Sequence, residues 1–229
     1  MPPRVPARPA QPALEEARQR LLHAGLRLFA QHGFAKTTTR ELAEAAQVNV
    51  AAISYYFGDK AGLYRGVFVA CANPVDEEIA RFAGPGLDLT QALRGLYAGF
   101  VDTLRRGEEA RLFMKLYFRE MLEPTGVWQE TIDHDFRPQH EALVALLVRQ
   151  LGLPAPDREL QRLAICLAGL GVHLHVGHDI TDQLAPGLNE GTEALDQWTE
   201  ALTRYALVLV QAEALRRGLP VPAAGETER

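Results

Sequence analysis

The chain has 229 residues, of which 47% are hydrophobic and 23% charged, a composition that allows a packed core and excludes disorder throughout. Its two cysteines, Cys71 and Cys166, have neither Cys-x-x-Cys nor metal-ligand spacing, which gives no support to a disulfide framework or a zinc finger and favours a reduced, cytoplasmic setting. The chain begins without an apolar signal segment and has no run of about 18 apolar residues, so we predict neither a signal peptide nor a membrane span.

The net charge of −5 is divided unevenly along the chain. Residues 1–65 contain nine Arg or Lys against five Asp or Glu, whereas the remainder contains 15 against 24. Phosphate contacts and counterion release supply much of a protein's affinity for DNA, so a basic head on an acidic body predicts that only the head contacts a polyanion. Ordinary variation of surface charge is the alternative.

The first part of the chain predicts an arm followed by helices. Five prolines in residues 1–13 indicate a disordered or polyproline-like arm. Apolar residues at helical spacing then predict a first helix over residues 14–32, which ends at Gly33. Further helices, the last of them bent at Pro74 and followed by the Gly84-Pro85-Gly86 break, are predicted near residues 39–46, 50–57 and 60–81.

The rest of the chain continues as helices. Leu93, Tyr97 and Leu104 mark one amphipathic helix, and a second one, through Leu116, stops at Pro124. The remaining helical segments are a stretch interrupted at Pro138, a helix with Asp157 as its N-cap and a last helix with a basic C-terminal turn, over residues 126–151, 157–177 and 192–217.

These elements predict an all-α chain: an N-terminal three-helix helix-turn-helix domain plus a larger C-terminal helical ligand-binding and dimerisation domain, about nine helices. No repeat of fixed period indicates a solenoid. The predicted ranges are a disordered arm, a helix-turn-helix DNA-binding domain, a connecting helix, a C-terminal effector-binding and dimerisation domain and a flexible tail, over residues 1–13, 14–60, 61–83, 84–217 and 218–229.

The segment of residues 36–64 has the pattern of a helix-turn-helix. Thr38 can cap a short helix whose Leu42 and Ala45 face inward. After a turn at Gln47-Val48, Asn49 can cap a second helix that buries Ile53 and Phe57. Two short helices joined by a tight turn form the unit that enters the major groove of DNA.

The composition of the second helix suits that task. Val50, Ala51 and Ala52 are small enough for close approach to base edges, and the polar side chains that follow can reach bases or phosphates. Lys60, at the start of the next helix, is placed to meet a phosphate. The alternative is that these Ala and Tyr residues only pack within a small helical bundle.

This segment resembles the DNA-binding domain of the TetR family of repressors. The matching features are Gly33-Phe34, Thr37-Thr38-Thr39, Leu42-Ala43, Val48, Ile53, the aromatic run Tyr55 to Phe57, Lys60 and Leu63. The residues that the motif and the resemblance together predict to contact DNA are Thr37, Thr38, Thr39, Arg40, Asn49, Val50, Ala51, Ala52, Ser54, Tyr55, Tyr56 and Lys60.

Three positions depart from the family pattern. Gln47 stands where the turn usually has Gly, Tyr56 where His is common and Ala61 where Glu often follows the Lys. If the turn residue needs a positive φ, Gln47 costs about 1 kcal/mol relative to Gly. We expect this strain to be tolerated.

The second part of the chain is similar to the C-terminal domain of the CecR (CerR-type) subgroup of the same family. The similarity rests on the phrases RLFMKLYFREMLEPTG and FRPQHEALVALLVRQLG. It implies an effector-binding and dimerisation domain that responds to a small, partly apolar compound such as an antibiotic or a metabolite, and regulation of an efflux or membrane-transport operon. No cofactor is expected.

The last two helices, residues 157–177 and 192–217, carry enough apolar side chains for both a core and a partner helix. We therefore expect a homodimer through these helices, because a helix-turn-helix dimer reads two half-sites roughly 34 Å apart or at multiples of that spacing. An intrachain core alone is the alternative.

Aromatic and polar residues of the C-terminal half are candidates for the effector site, although most residues of this kind belong to ordinary cores. The candidates are Phe113, Tyr117, Arg119, Trp128, Phe136, His173 and His175. His175, His178 and Asp179 share one face of a continuous helix and are the only trio there that could chelate a metal, but we predict no metal site because Gly177 can end that helix.

An enzyme is a further alternative. Glu-x-x-His pairs, a phosphate-binding GxxxxGK[ST] loop and a GxSxG nucleophile elbow are all absent from the sequence, which argues against a helical metal-binding enzyme. We expect a cytoplasmic bacterial repressor, associated with the nucleoid when bound, that a small molecule releases from double-stranded operator DNA. A DNA-binding regulator without an effector remains the alternative, and a ligand cavity would separate the two.

Overall fold

The computed structural model describes residues 11–126 and 128–222, without the side chains of Gln11, Pro12, Ala13, Trp128, Glu130, Asp179 and Thr192. Most of the predicted arm and the last seven residues of the predicted tail lie outside these ranges. None of the helices within them is long and apolar enough to cross a membrane.

The described parts of the chain contain helices and no strand, which confirms the all-α prediction. Twelve α-helices are present there, more than the nine or so expected. They are α1 Gln11–Lys36, α2 Thr39–Ala45, α3 Ala51–Phe57, α4 Lys60–Cys71, α5 Val75–Ala83, α6 Leu89–Arg105, α7 Glu108–Leu122, α8 Trp128–Thr131, α9 Arg137–Leu151, α10 Arg158–Val176, α11 His178–Leu184 and α12 Thr192–Arg216.

The prediction of one bent helix over residues 60–81, and with it the single connecting helix over 61–83, is wrong. α4 ends at Cys71, and Ala72 has extended dihedral angles of φ −66° and ψ 143°. α5 then begins after Pro74. A proline disfavours helical dihedrals in the residue before it, so the expected bend is a complete break.

The segment predicted to be interrupted at Pro138 stays helical on both sides of it. A π-helical turn, Ile132–Phe136, joins α8 to α9, and the N–H of Arg137 donates to the carbonyl of Ile132, five residues back. Pro138 has no N–H of its own and its ring clashes with the preceding turn of an α-helix. The wider π turn directly before it accommodates this change in the hydrogen-bond pattern.

The chain forms two compact units. The first consists of the residues up to Ala72 together with Leu112–Thr125, and the second of Asn73–Arg111 and the chain from Gly126 onwards. These units group residues by contact, whereas the ranges predicted from the sequence are consecutive segments. The predicted ranges other than the connecting helix therefore stay a prediction. α7 contributes most of its length to the first unit.

The core of the first unit surrounds α1. Leu21 and Phe29 of α1 are fully buried, as are Leu42 of α2 and Leu63 of α4, and Ile53 of α3 is 1% exposed. Fully burying such a side chain contributes roughly 1.5–3 kcal/mol. This packing holds the two short helices α2 and α3, which are too short to be stable alone.

The core of the second unit surrounds α6, which packs against α5, α10 and α12. Leu93 and Tyr97 of α6 are fully buried, together with Leu167 of α10 and Val210 of α12. The buried hydroxyl of Tyr97 donates to the carbonyl of Leu167 at 3.0 Å, which satisfies its hydrogen-bonding capacity inside the core.

Side chains hold the start of α10 and the end of α12. Asp157 accepts a hydrogen bond from the N–H of Leu160 at 2.9 Å, which confirms it as the N-cap of α10. Its carboxylate also pairs with Arg217 at 2.6 Å, and this partner holds the pKa of Asp157 well below its usual range. The pair connects the start of α10 to the end of α12.

Candidate nucleic-acid interface

α2 begins with a capping box. The hydroxyl of Thr38 accepts from the N–H of Glu41 at 3.2 Å, and the Glu41 carboxylate accepts from the N–H of Thr38 at 2.8 Å. This backbone hydrogen bond lowers the pKa of Glu41. Reciprocal bonds of this kind satisfy two donors that a helix start leaves unpaired. The Thr38 cap predicted from the sequence is therefore present.

The turn between α2 and α3 requires a left-handed residue. Gln47 has φ 54° and is the one non-glycine residue with a positive φ in the chain as far as it is described. The N–H of Gln47 donates to Glu44 and that of Val48 donates to Ala43, at 3.0 and 2.9 Å. These two bonds form a Schellman motif, which normally places glycine at the left-handed position. The strain anticipated for Gln47 is real.

Asn49 lies two residues before α3, and its side-chain oxygen accepts from the N–H of Ala51, the first residue of the helix, at 2.9 Å. Val50 already has helical dihedral angles. Ile53 anchors the inner side of the helix, Tyr55 on the opposite side is 67% exposed, and Val50, directly before the helix, is 45% exposed. The ring of Tyr55 lies edge-on to that of Tyr56, with 4.9 Å between their centroids.

The inward face of α2 differs from the prediction in one residue. Leu42 is buried as expected, but Ala45 is exposed, and Ala43 and Ala46 are buried instead. α1 packs against α2, and the side chain of Arg20 donates to the carbonyl of Ala46 at 3.0 Å. A seven-residue helix makes less than two full turns at 3.6 residues per turn, so its apolar pattern leaves the register open.

Two of the predicted DNA contacts are engaged inside the first unit. Thr37 is 1% exposed, and its hydroxyl donates to the carbonyl of Gly33 at 2.8 Å. The ammonium of Lys60 donates to the carbonyls of Phe34 and Thr37 at 2.9 and 3.0 Å and lies 4.2 Å from the centre of the Phe34 ring. Both residues therefore help to shape the start of α2.

All of the residues predicted to contact DNA lie in the first unit. Thr38, Arg40, Asn49, Val50, Ala51, Ser54 and Tyr55 are exposed. Thr39, Ala52, Tyr56 and Lys60 are partly exposed. One unit therefore contains a capped helix start, an exposed face of α3 and several cations. Groups of these kinds contact the phosphate backbone and the base edges of nucleic acids.

Sequence reasoning missed two residues that support this surface, Tyr64 and Glu120. Tyr64 of α4 is 1% exposed and contacts the ring of Phe34, and its hydroxyl donates to the carboxylate of Glu120 at 2.7 Å. Burial raises the pKa of Tyr64. Because Glu120 lies 56 residues further along the chain, neither spacing nor periodicity could have indicated this contact.

The candidate effector residues fall in different units. Phe113, Tyr117 and Arg119 lie on α7 within the first unit, where the rings of Phe113 and Tyr117 are 5.9 Å apart. His173 and His175 lie on α10 in the second unit. The remaining two are Phe136, in the π turn, and Trp128, whose side chain is outside the described residues.

Burial sets the charge of His175, and the helix end at Gly177 separates His175 from His178. Burial lowers the pKa of His175 to about 4, so its imidazole is neutral at neutral pH. α10 ends at Gly177 as anticipated, and α11 starts anew at His178, whose Nδ1 lies 3.1 Å from a carboxylate oxygen of Asp182. Among the side chains that the structure describes, no group of three His, Cys, Asp or Glu residues could hold a metal ion.

Both halves of the chain match models of known protein families. The family model for bacterial regulatory proteins of the tetR family matches residues 21–67, which contain α2, α3 and most of α4. The model for the C-terminal domain of the HTH-type transcriptional dual regulator CecR matches residues 89–213. Regulators of this kind bind operator DNA, typically as dimers.

Individual relatives agree with these models. The chain is 33% identical to the HTH-type transcriptional dual regulator CecR of Shigella flexneri over 162 residues, 64% of this chain and 70% of the relative. It is 31% identical to the regulator AcrR of the same organism over 118 residues, 50% and 54% of the two chains.

A solved structure shows the same fold. NalD, the secondary repressor of the MexAB-OprM multidrug efflux pump in Pseudomonas aeruginosa, aligns with a TM-score of 0.60 at 20% identity, over 90% of this chain and 98% of that chain. With the two family models matching in sequence order, and the CecR-type model alone spanning more than half of the residues, the chain belongs to the TetR family of bacterial DNA-binding transcriptional regulators.

Proposed function

We propose that the protein is a repressor that binds double-stranded operator DNA as a homodimer and is released from it by a small-molecule effector. The proposal of DNA binding rests on one observation, the pair of helices α2 and α3 with the exposed face of α3. Small side chains at Val50 and Ala51 permit close approach to base edges and to thymine methyl groups. Tyr55, with two-thirds of its side chain exposed, is the largest group available for a base or phosphate contact.

Charged groups on the same unit supply contacts to the phosphate backbone. Arg40 is exposed on α2, and Lys60 has three N–H donors, of which two are used by backbone carbonyls. One donor of Lys60 is therefore left for a phosphate oxygen. Contacts of this kind set affinity and register, while α3 reads the sequence.

Dimerisation through α10 and α12 is supported by apolar side chains that the single chain leaves exposed. Ile165 and Val176 on α10 are 62% and 58% exposed, and Tyr205, Val208 and Leu215 on α12 are 51%, 56% and 66% exposed. The residues on α12 recur at helical spacing and form one face. Exposed apolar patches of this kind mark protein interfaces, and a second copy of the chain offers a matching face under two-fold symmetry.

The effector half of the proposal rests on the aromatic residues of α7 and on the family. Phe68, Phe113 and Tyr117 form a ring cluster with centroid distances of 5.8 to 6.5 Å, a chemistry suited to a partly apolar, aromatic compound. NalD represses a multidrug efflux pump, which suggests a transport operon as the target of this protein. Effector binding would favour a conformation with a different spacing of the two α3 helices.

A binding assay tests both halves. Labelled DNA from upstream of the protein's own gene is titrated with the wild type and with a variant carrying Tyr55→Ala and Lys60→Ala, at fixed salt. Tyr97→Phe, in the core of the second unit, is the control outside α2–α3 and outside the proposed dimer face. The double variant should bind at least about tenfold more weakly, because each base or phosphate contact is worth on the order of 1 kcal/mol or more. Unchanged affinity would exclude α3 as the reading helix. A panel of amphipathic antibiotics is then added: operator binding that none of them weakens argues against the effector half.

A further inference from the structure

Glu120 is the one charged residue with a fully buried side chain among those that the structure describes. Its carboxylate accepts from the hydroxyl of Tyr64 and from the N–H of Thr125, both at 2.7 Å, and from the Thr125 hydroxyl at 3.0 Å. A carboxylate is costly to bury unless donors surround it, and here the donors come from two sequence-distant parts of the first unit. The arrangement joins the end of α7 to the middle of α4.

The ring of Tyr64 continues the contacts of Glu120 towards the residues before α2. Its ring lies edge-on to Phe34, with 5.1 Å between the centroids, and the ring of Phe29 also contacts it, at 4.9 Å. The Phe34 ring in turn carries the ammonium of Lys60, 4.2 Å from its centre. Three successive contacts therefore lead from Glu120 to Lys60, and all four residues belong to one compact unit.

The last contacts fix both the cation and the backbone beside it. Lys60 donates to the carbonyls of Phe34 and Thr37, and Thr37 directly precedes the capping residue Thr38. Arg119, next to Glu120, packs over Gly33, where a Cβ atom would lie 2.6 Å from the guanidinium. The end of α7 thus braces the connection between α1 and α2 at two points.

We propose that Glu120 is a positioning residue for DNA binding. It orients Tyr64, and through Phe34 it holds the Lys60 ammonium and the start of α2 where they meet the phosphate backbone. This inference rests on the proposed operator binding, and in particular on the phosphate contact of Lys60. A role in stability alone is the competing explanation, because any buried hydrogen bond contributes to folding.

A pair of tyrosine variants separates the two explanations. Tyr64→Phe removes the hydroxyl that donates to Glu120, whereas Tyr97→Phe removes an equally buried hydroxyl that donates to Leu167 in the second unit. Affinity for the operator fragment is measured in the full-length protein over a range of salt concentrations. Tyr64→Phe should weaken binding by about 2- to 30-fold, the range found for residues that act through others. It should also lower the slope of log affinity against log salt by up to about 0.9, the value of one phosphate contact. Tyr97→Phe should change neither quantity.

The same measurement in a Lys60→Ala background identifies the route. If Glu120 acts through Lys60, Tyr64→Phe loses most of its effect there; an equal loss in both backgrounds overturns the proposal. So does unchanged affinity and slope for Tyr64→Phe while the wild type binds. A wild type without operator affinity instead refutes the proposed function itself. Circular dichroism checks folding first, and if Tyr64→Phe is unfolded, Thr125→Val, which removes the third donor to Glu120, replaces it in the same cycle.

Discussion

The turn residue Gln47 offers a prediction whose magnitude follows from its backbone. At φ 54° the backbone of Gln47 lies in the left-handed region. That conformation costs an L-residue roughly 1–2 kcal/mol. Glycine removes this cost but has more freedom to lose on folding, which opposes the gain by roughly 0.5–1 kcal/mol. Gln47→Gly should therefore raise the free energy of unfolding by about 0.5–1 kcal/mol.

Urea denaturation followed by circular dichroism measures this change, with Gln47→Ala as the matched control. Alanine keeps the Cβ atom and therefore the strain, so its free energy of unfolding should stay within about 0.5 kcal/mol of the wild type. Both variants keep the backbone hydrogen bonds of the Schellman motif, since these use only main-chain atoms. A Gln47→Gly protein no more stable than the wild type, or a Gln47→Ala protein with the same gain, would refute the strain argument.

Three further predictions concern the second unit. Burial lowers the pKa of His175 to about 4, so the unfolded chain binds a proton at a higher pH than the folded chain does, and stability should fall as the pH drops from about 6.5 towards 4. His175→Phe should flatten that part of a plot of unfolding free energy against pH. An unchanged plot would contradict the assignment of this pH dependence to His175. Gly95→Ala should destabilise the protein by about 2 kcal/mol or more in urea denaturation, because its Cβ would lie 2.1 Å from the carbonyl of Arg81 and separate α5 from α6; a loss below about 0.5 kcal/mol would show that the helices adjust freely. Val208→Glu, on the exposed face of α12, should give monomers in sedimentation analysis with weakened operator binding, whereas a stable dimer would move the interface elsewhere.

The local features of α2 and α3 were accessible from the sequence because they depend on near neighbours. The Thr38 cap, the hydrogen bond from the N–H of Ala51 to the Asn49 side chain and the strain at Gln47 each involve residues within five positions of one another. Capping and turn preferences act over this range, so the residue types alone were sufficient to anticipate them. The all-α fold followed in the same way from helical spacing throughout the chain.

The features that the sequence did not reveal depend on competition or on long-range contact. The break between α4 and α5 depends on whether Pro74 bends a helix or ends it, and a proline in the sequence is compatible with both. α11 is seven residues long and its exposed apolar residues give no inward face. The contact of Glu120 with Tyr64 pairs residues from separate helices, and a buried carboxylate looks like any surface glutamate in sequence.

Sequence-specific binding through α3 is the central claim, and equilibrium fluorescence anisotropy tests it most directly. The wild-type protein is titrated at one salt concentration against a DNA fragment from upstream of its own gene and against a shuffled fragment of the same length and composition. If α3 reads the operator sequence, the protein should bind the first fragment more tightly by about a thousandfold or more, as specific complexes generally show. Equal affinity for both fragments would contradict it, because the basic head would then bind DNA by charge alone.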